Sequence, residues 1–173
     1  TGDFASFGAA VDTLNTVGTT GSLTFLVNPG VYEEQVSLHE VPGLTDANGI
    51  SFVGQGTGDD EVRIVANTSV ADNYAFRIDG VSNVNISGLR IEARPQLASV
   101  KAANAFVVGN SSNLHISNTR FRVKGTIMDA NASCMVIGDS VSDLTLVNNI
   151  FDSGYYSIKT TGEGYADFNI TNN

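Results

Sequence analysis

The sequence predicts an all-β fold, a right-handed parallel β-helix in which each coil of the chain stacks on the one before it. Three segments align without gaps at one constant offset, beginning at Ser82, Ser112 and Ser142. Within each segment apolar and polar residues alternate, which indicates a strand with one buried face. The 18 Gly and only 3 Pro describe a chain that turns often yet pairs its backbone. Self-similarity at a fixed period is typical of a solenoid.

Residues 1–20 are predicted to cap the solenoid. Residues 5–17 carry apolar side chains at helical spacing, with Asp3 or Ser6 as the N-cap and Gly18 just beyond the helix. An amphipathic helix that lies across the first coil would cover the end of the hydrophobic interior. Residues 21–173 then form the coils. We expect the coils to continue beyond Asn173, or another chain to cover them there, because unpaired strand edges promote aggregation.

Strands are predicted in order along the chain after this cap. Leu23–Val27 is an apolar strand, and Asn28, Pro29 and Gly30 turn it into an extended segment at 31–36. Further strands are expected at 50–53, 62–65 and 74–78.

The aligned segments also predict which side chains stack on one another. The interior column of one strand is formed by Ile86, Ile116, Leu146 and, in a shorter fourth copy, Ile170. A repeated turn follows two positions later, at Gly88, Asn118, Asn148 and Asn172, because Gly and Asn tolerate a left-handed backbone. A second strand in each coil is expected to place Phe76, Phe106 and Val136 in another column.

Composition and charge exclude several classes of function. The chain has 9 basic and 18 acidic residues and a formal net charge of -9, which makes nucleic acid a poor partner. No apolar stretch approaches the ~20 residues of a membrane-spanning helix. The single cysteine, Cys134, lies in an apolar run and is predicted to be a small buried hydrophobe. We expect a secreted or cell-surface protein.

The opening of the chain resembles the pectin-lyase-like β-helix superfamily. The resemblance rests on Asp3-Phe4, on Ala9-Ala10-Val11, on residues 28–34 and on residues 52–56, and it covers the opening of the chain by motif. It is similar in particular to the start of pectin methylesterases and to large secreted β-helix proteins of Bacteroidetes-type bacteria. The resemblance implies that Gly30, Tyr32 and Glu34 are structural residues.

The same resemblance argues against esterase chemistry in these residues. The family's reaction uses glutamines, two aspartates and an arginine on later coils. Here the expected glutamine-aspartate pair is replaced by Gly125 and Thr126, and the later aspartate-phenylalanine and arginine-proline-tryptophan elements are missing. A catalytic set would therefore have to lie partly beyond Asn173.

Two groups of side chains are candidates for ligand binding. Arg90 and Arg120 hold equivalent positions on successive coils, about 4.8 Å apart, where like charges repel unless an anion or a carboxylate intervenes. With Arg122 and Lys124 they form a strip that would hold an acidic sugar, or they pair with Glu92 and neighbouring acids. Tyr155 and Tyr156 are interpreted either as stacking platforms for sugar rings or as core or stack residues of the last coils.

Four aspartates are candidate ligands for a metal ion. A polysaccharide lyase needs an arginine or lysine base beside acidic Ca²⁺ ligands. The residues available for such a set are Asp129, Asp139, Asp143 and Asp152. Aspartates near turns more often serve as solvated caps, and no cofactor is required for a binding role.

The sequence favours a noncatalytic module of a larger secreted or cell-surface bacterial protein, which binds a polysaccharide or glycan or serves in adhesion. The alternative is a polysaccharide-active enzyme, pectate lyase-like or pectin esterase-like, with catalytic residues partly downstream. The noncatalytic module is placed first because the sequence offers a β-helix scaffold without a complete set of catalytic residues.

Overall fold

A computed structural model of the 173-residue chain describes residues 3–58, 61–95, 103–125 and 131–173. One helix, α1, spans Phe7–Val17, and the remaining regular structure is β-strand. The strands are β1 Leu23–Val27, β2 Gly30–Tyr32, β3 Val36–His39, β4 Ile50–Gly54, β5 Val62–Thr68, β6 Tyr74–Asp79, β7 Val84–Ser87, β8 Leu89–Pro95, β9 Ala103–Gly109, β10 Ser112–Ser117, β11 Arg120–Val123, β12 Ala132–Ile137, β13 Ser142–Val147, β14 Ile150–Asp152, β15 Tyr156–Thr160 and β16 Asn169–Thr171.

Every third strand joins the same sheet, and every pairing between neighbouring strands is parallel in the described residues. Sheet 1 has the order β1-β4-β7-β10-β13-β16, sheet 2 the order β2-β5-β8-β11-β14, and sheet 3 the order β3-β6-β9-β12-β15. Successive strands of one sheet therefore come from successive coils. This arrangement confirms the predicted right-handed parallel β-helix.

The interior column predicted for sheet 1 is confirmed. Ile116 pairs with Ile86 on one side and with Leu146 on the other, and Leu146 pairs with Ile170. The column also extends towards the start of the chain, because Ile86 pairs with Phe52 and Phe52 with Phe25. Ile170 is 45% exposed, since no described strand pairs with the far edge of β16.

The turn between sheet 1 and sheet 2 repeats as predicted. Gly88, Asn118, Asn148 and Asn172 have φ angles of 68°, 50°, 56° and 56°. These lie in the left-handed region that Gly and Asn tolerate best. A turn of fixed geometry at this point keeps the two sheets in constant register from coil to coil.

The helix α1 covers the first coil. Ser6 is the N-cap, because its hydroxyl accepts a hydrogen bond from Ala9 N at 3.1 Å. Phe7, Val11 and Leu14 are buried, and the Phe7 ring contacts the rings of Phe52 and Phe76 at centroid distances of 4.9 and 5.6 Å. Among the described residues no helix has the length and hydrophobicity that crossing a bilayer requires.

Two details of the predicted strands are corrected. The segment at 31–36 is two strands on different sheets, with the bend at 33–35; Glu34 Oε1 accepts a hydrogen bond from Phe7 N at 2.8 Å and so ties this bend to α1. The partner of Phe106 is Met135, and Val136 pairs with Val107 on the outer face. The step from β9 to β12 falls one residue short of the period, because the segment from Val123 to Ala132 is one residue shorter than the register-matched segment from Ala93 to Ala103.

Candidate functional site

The outer face of sheet 2 concentrates the positive charge of an acidic chain. The sequence has nine Lys and Arg residues, and all except Lys101 are described. Six of them lie on strands of sheet 2 or directly after β11: Arg63, Arg90, Arg94, Arg120, Arg122 and Lys124. We call these six residues the arginine face.

Three arginines of this face form one column. Arg90 pairs in register with Arg63 on one side and with Arg120 on the other. Neighbouring coils are about 4.8 Å apart, so the guanidinium groups repel unless anions lie between them. The predicted equivalence of Arg90 and Arg120 is confirmed, and Arg63 adds a third member.

Carboxylates neutralise the upper part of the column, which is formed by Arg63 and Arg90. Glu61 Oε1 lies 2.6 Å from Arg90 Nη1 and 3.7 Å from Arg63 Nε. The Glu92 side chain is 1% exposed and contacts Arg90 at 3.0 Å, Arg94 at 2.6 Å and Arg63 at 3.6 Å. Pairing with Glu92, which the sequence offered as the alternative to ligand binding, therefore accounts for Arg90.

This ion-pair cluster shifts the pKa of both partners. Burial alone would raise the pKa of Glu92, but hydrogen bonds and charges from Arg94 and Arg90 outweigh it, so the pKa lies below its usual range. Burial alone would lower the pKa of Arg90, but Glu61 and Glu92 raise it. Glu92 is therefore ionised over the whole physiological range.

The lower part of the arginine face, formed by Arg120, Arg122 and Lys124, is not neutralised in the same way. Arg120 has no ion pair or side-chain hydrogen bond with the described residues, and the Lys124 side chain is exposed. Arg122 Nε lies 3.6 Å from Asp152 Oδ2 and has no hydrogen-bond partner in the described part of the chain. Glu92 is in register with Arg122, but its carboxylate contacts arginines of the upper part instead. Among the described residues these three cations therefore share one ion pair, with Asp152, which leaves this end of the face net positive.

Two exposed tyrosines lie where sheet 2 gives way to sheet 3. Tyr155 and Tyr156 are 46% and 40% exposed, and their rings meet edge to face at 4.8 Å between centroids. Lys159 Nζ lies 5.8 Å from the centre of the Tyr156 ring. Both tyrosines therefore lie on the surface and not in the core. They lie one coil beyond Arg120 and Arg122.

Three of the four predicted metal ligands lie in the described residues, each on a different part of the coil. Asp139 follows β12, Asp143 lies on β13 in sheet 1 and Asp152 lies on β14 in sheet 2, while Asp129 falls outside the described residues. Asp139 Oδ1 accepts a hydrogen bond from Glu163 N at 3.0 Å, and Asp143 Oδ2 accepts one from Ser142 Oγ at 3.1 Å. Within the described ranges no three His, Cys, Asp or Glu side chains are grouped to hold a metal ion.

Cys134 is a core residue. Its side chain is buried, and burial raises the pKa of the thiol to about 11. The thiol is therefore protonated at neutral pH and is a poor nucleophile.

Sequence reasoning missed the acidic partner Glu61 and the third arginine of the column. Arg63 and Arg90 pair in register, but their spacing along the chain is shorter than the period of the three aligned segments, so a search at that period does not align them. A signal was present in the matching strand patterns of 62–66 and 89–93, where inner apolar residues flank an arginine at the second position.

Comparison with solved structures finds the same fold in pectin methylesterases. The enzyme from Aspergillus niger matches with a TM-score of 0.56 and 19% identity over 93% of this chain and 55% of its own. The enzyme from Yersinia enterocolitica gives a TM-score of 0.57 and 12% identity over 98% of this chain and 57% of its own. A pectin methylesterase mutant in complex with a hexasaccharide matches with a TM-score of 0.57 and 13% identity, over 84% of this chain and 52% of its own.

These likenesses show that the chain shares the parallel β-helix fold of those structures. No protein-family model and no curated protein sequence matches the chain. The chain spans little more than half the length of the Aspergillus enzyme.

Proposed function

We propose that this β-helix segment is a noncatalytic carbohydrate-binding module of a secreted or cell-surface protein, and that it holds an acidic polysaccharide against the lower part of the arginine face. One observation carries the proposal: the arginine column continues to Arg120 after its neutralising carboxylates have ended. Guanidinium groups bind carboxylates through paired, charge-assisted hydrogen bonds. Uronate residues of a polysaccharide supply such carboxylates at regular intervals.

The neighbouring tyrosines support a sugar ligand over another polyanion. Exposed aromatic rings offer large contact areas with a polar rim, which suits the faces of sugar rings. Tyr155 and Tyr156 lie on the coil that follows Arg120 and Arg122, so one extended chain running along the helix axis would meet both groups. The similar solved structures also include an esterase named for pectin in complex with a hexasaccharide.

Calorimetric titration of the chain with polygalacturonate oligosaccharides tests this proposal. Arg120→Gln and Arg122→Gln should each weaken binding roughly fivefold to tenfold, because each removes one or more hydrogen bonds to a charged group. Binding should also weaken as NaCl is raised, since exposed charges are screened over about 10 Å at 0.1 M salt.

The matched control is Arg77→Gln. The Arg77 side chain is 43% exposed, lies on sheet 3 and pairs with Asp79, so its loss should leave the affinity unchanged. Equal weakening by all three variants, or no binding by the unsubstituted chain, would show that the arginine face is not the site.

A catalytic alternative follows from the shared fold. If this segment carried esterase activity, the unsubstituted chain would release methanol from methyl-esterified pectin, and if it carried lyase activity, it would generate unsaturated uronates from polygalacturonate. Either product would overturn the noncatalytic proposal. Binding without either product supports it.

A further inference from the structure

A polar groove on the outer face of sheet 1 lies away from the arginine face. It has a volume of about 220 Å³, and its lining includes the loop at 46–49 and the side chains of Asn83, Asn85, Asn113 and His115. The loop forms one wall, and strands β7 and β10 form the floor. No basic residue other than His115 belongs to this lining, so the groove differs in character from the arginine face.

The wall of the groove is fixed by side-chain hydrogen bonds. Asn83 Nδ2 donates to Thr45 O at 3.0 Å, which joins the floor to the loop. Asn48 Oδ1 accepts from Thr45 N at 2.7 Å, and Asn48 Nδ2 donates to Gly43 O at 3.2 Å. Asn113 Nδ2 donates to Asn83 Oδ1, which links two coils. The groove therefore has its shape before any ligand enters, which lowers the entropic cost of binding.

Two floor residues are left with free hydrogen-bonding groups. Asn85 and His115 are exposed and pair in register on neighbouring strands. Neither side chain makes a hydrogen bond to the residues that the structure describes. Together they offer an amide oxygen, an amide NH₂ and an imidazole, about 4.8 Å apart between strands. Both donors and acceptors are needed to bind adjacent hydroxyl groups.

We propose that this groove binds one uncharged sugar residue through its hydroxyl groups, as a site separate from the arginine face. The mixture of amides, imidazole and a single carboxylate, Asp46, suits a neutral polyhydroxylated ligand. A uronate would place its own negative charge beside Asp46. Since no aromatic ring belongs to the lining, the ligand gains no stacking contact, and we expect millimolar affinity.

Two-dimensional ¹H–¹⁵N NMR of the chain, titrated with the methyl glycosides of galactose, arabinose and rhamnose, tests the proposal. At least one glycoside should shift the amide signals of Gly49, Asn85 and His115 and leave that of Arg120 unmoved. Asn85→Ala and His115→Ala should each weaken the interaction roughly threefold to tenfold, the value of one or two hydrogen bonds. Thr145→Ala is the matched control, because Thr145 follows His115 in the same outward column but lies outside the groove.

The outcomes separate this site from the arginine face. Galacturonate should shift Arg120 and its neighbours more than the groove signals, and Arg120→Gln should leave glycoside binding unchanged. If no glycoside shifts the groove signals, or if Thr145→Ala weakens binding as much as Asn85→Ala does, the proposal is wrong. The glycoside results at the groove do not depend on whether polygalacturonate binds the arginine face.

Discussion

Glu92 shows how a single buried carboxylate stabilises a crowded row of arginines. Its side chain lies on the outer side of sheet 2, yet it is almost fully buried and contacts Arg63, Arg90 and Arg94. Burial of an ionised carboxylate costs several kcal/mol unless it is well paired. Here three cations provide that pairing, and the carboxylate in turn relieves their mutual repulsion.

Glu92→Gln should therefore destabilise the protein and change its response to acid. We expect the free energy of unfolding to fall by about 3 kcal/mol at pH 7, because the arginines lose their shared counter-charge. The folded-state pKa of Glu92 lies below the unfolded one, so its contribution is complete above about pH 4.3 and disappears as the pH falls through the folded-state pKa. Urea unfolding between pH 7 and pH 2.5 measures both effects.

The variant should lose less stability than the unsubstituted chain on acidification below about pH 4. Glu163→Gln serves as the control, because Glu163 is exposed and has no ion pair in the described residues. If Glu92→Gln and Glu163→Gln change the free energy of unfolding and its pH dependence equally, Glu92 does not stabilise the row of arginines.

Individual site residues were predictable only where a neighbouring coil repeats them. The equivalence of Arg90 and Arg120 follows from the constant offset of the aligned segments, which the structure confirms. The neutralisation of Arg90 by Glu61 does not follow, because Glu61 belongs to a coil of different length. Loop lengths vary between coils whereas strand pairing fixes which side chains meet, so sequence period alone cannot assign charge partners.

At the scale of the element, the turn between sheets 1 and 2 is held by asparagine side chains that bond to the preceding coil. Asn149 is 2% exposed; its Oδ1 accepts a hydrogen bond from Thr119 N at 3.0 Å, and its Nδ2 donates to Ile116 O at 2.9 Å. Asn173 repeats this pattern one coil later with Asn149 N and Leu146 O. Each side chain joins its own turn to the preceding coil.

Asn149→Ala should cost about 3 kcal/mol of stability, because the change leaves a buried N–H and a buried carbonyl without partners, and each such group costs about 1–3 kcal/mol. Urea unfolding followed by circular dichroism measures the loss. The neighbouring Asn148→Gly variant provides the comparison, because Asn148 is exposed with a φ of 56°, and Gly adopts this conformation readily. If Asn149→Ala is as stable as Asn148→Gly, the Asn149 side chain does not stabilise this turn.

The elements themselves were largely predictable, and the exceptions have a common cause. Alternating apolar residues identify the strands, and Gly or Asn at a constant position identifies the turn. A polar residue beside that turn gives no sign that it is buried, so Asn149 was missed. The Met135 register was missed for a related reason, since a connection one residue shorter between register-matched positions shifts a strand without changing its apolar pattern.

For the whole molecule, the stacked coils predict that stability depends on position along the axis. Each coil contacts mainly its neighbours, so a solenoid behaves as a chain of nearest-neighbour interfaces. Phe121 and Phe151 hold equivalent positions on successive coils of sheet 2, with ring centroids 5.3 Å apart. Phe121 is fully buried and also contacts Phe106 edge to face at 5.6 Å, whereas Phe151 is only half-buried.

Phe121→Ala should lower the free energy of unfolding by about 3–5 kcal/mol, the usual cost of removing a buried aromatic ring. Phe151→Ala should cost less than half as much, because its ring has a neighbouring described coil on one side only. Urea unfolding gives the two energies, and amide hydrogen exchange locates them: the first variant should lose protection on both sides of β11, the second mainly in β14 and β15. Equal costs, with protection lost uniformly along the chain, would mean that the molecule unfolds as one indivisible core and not as a stack of coupled coils.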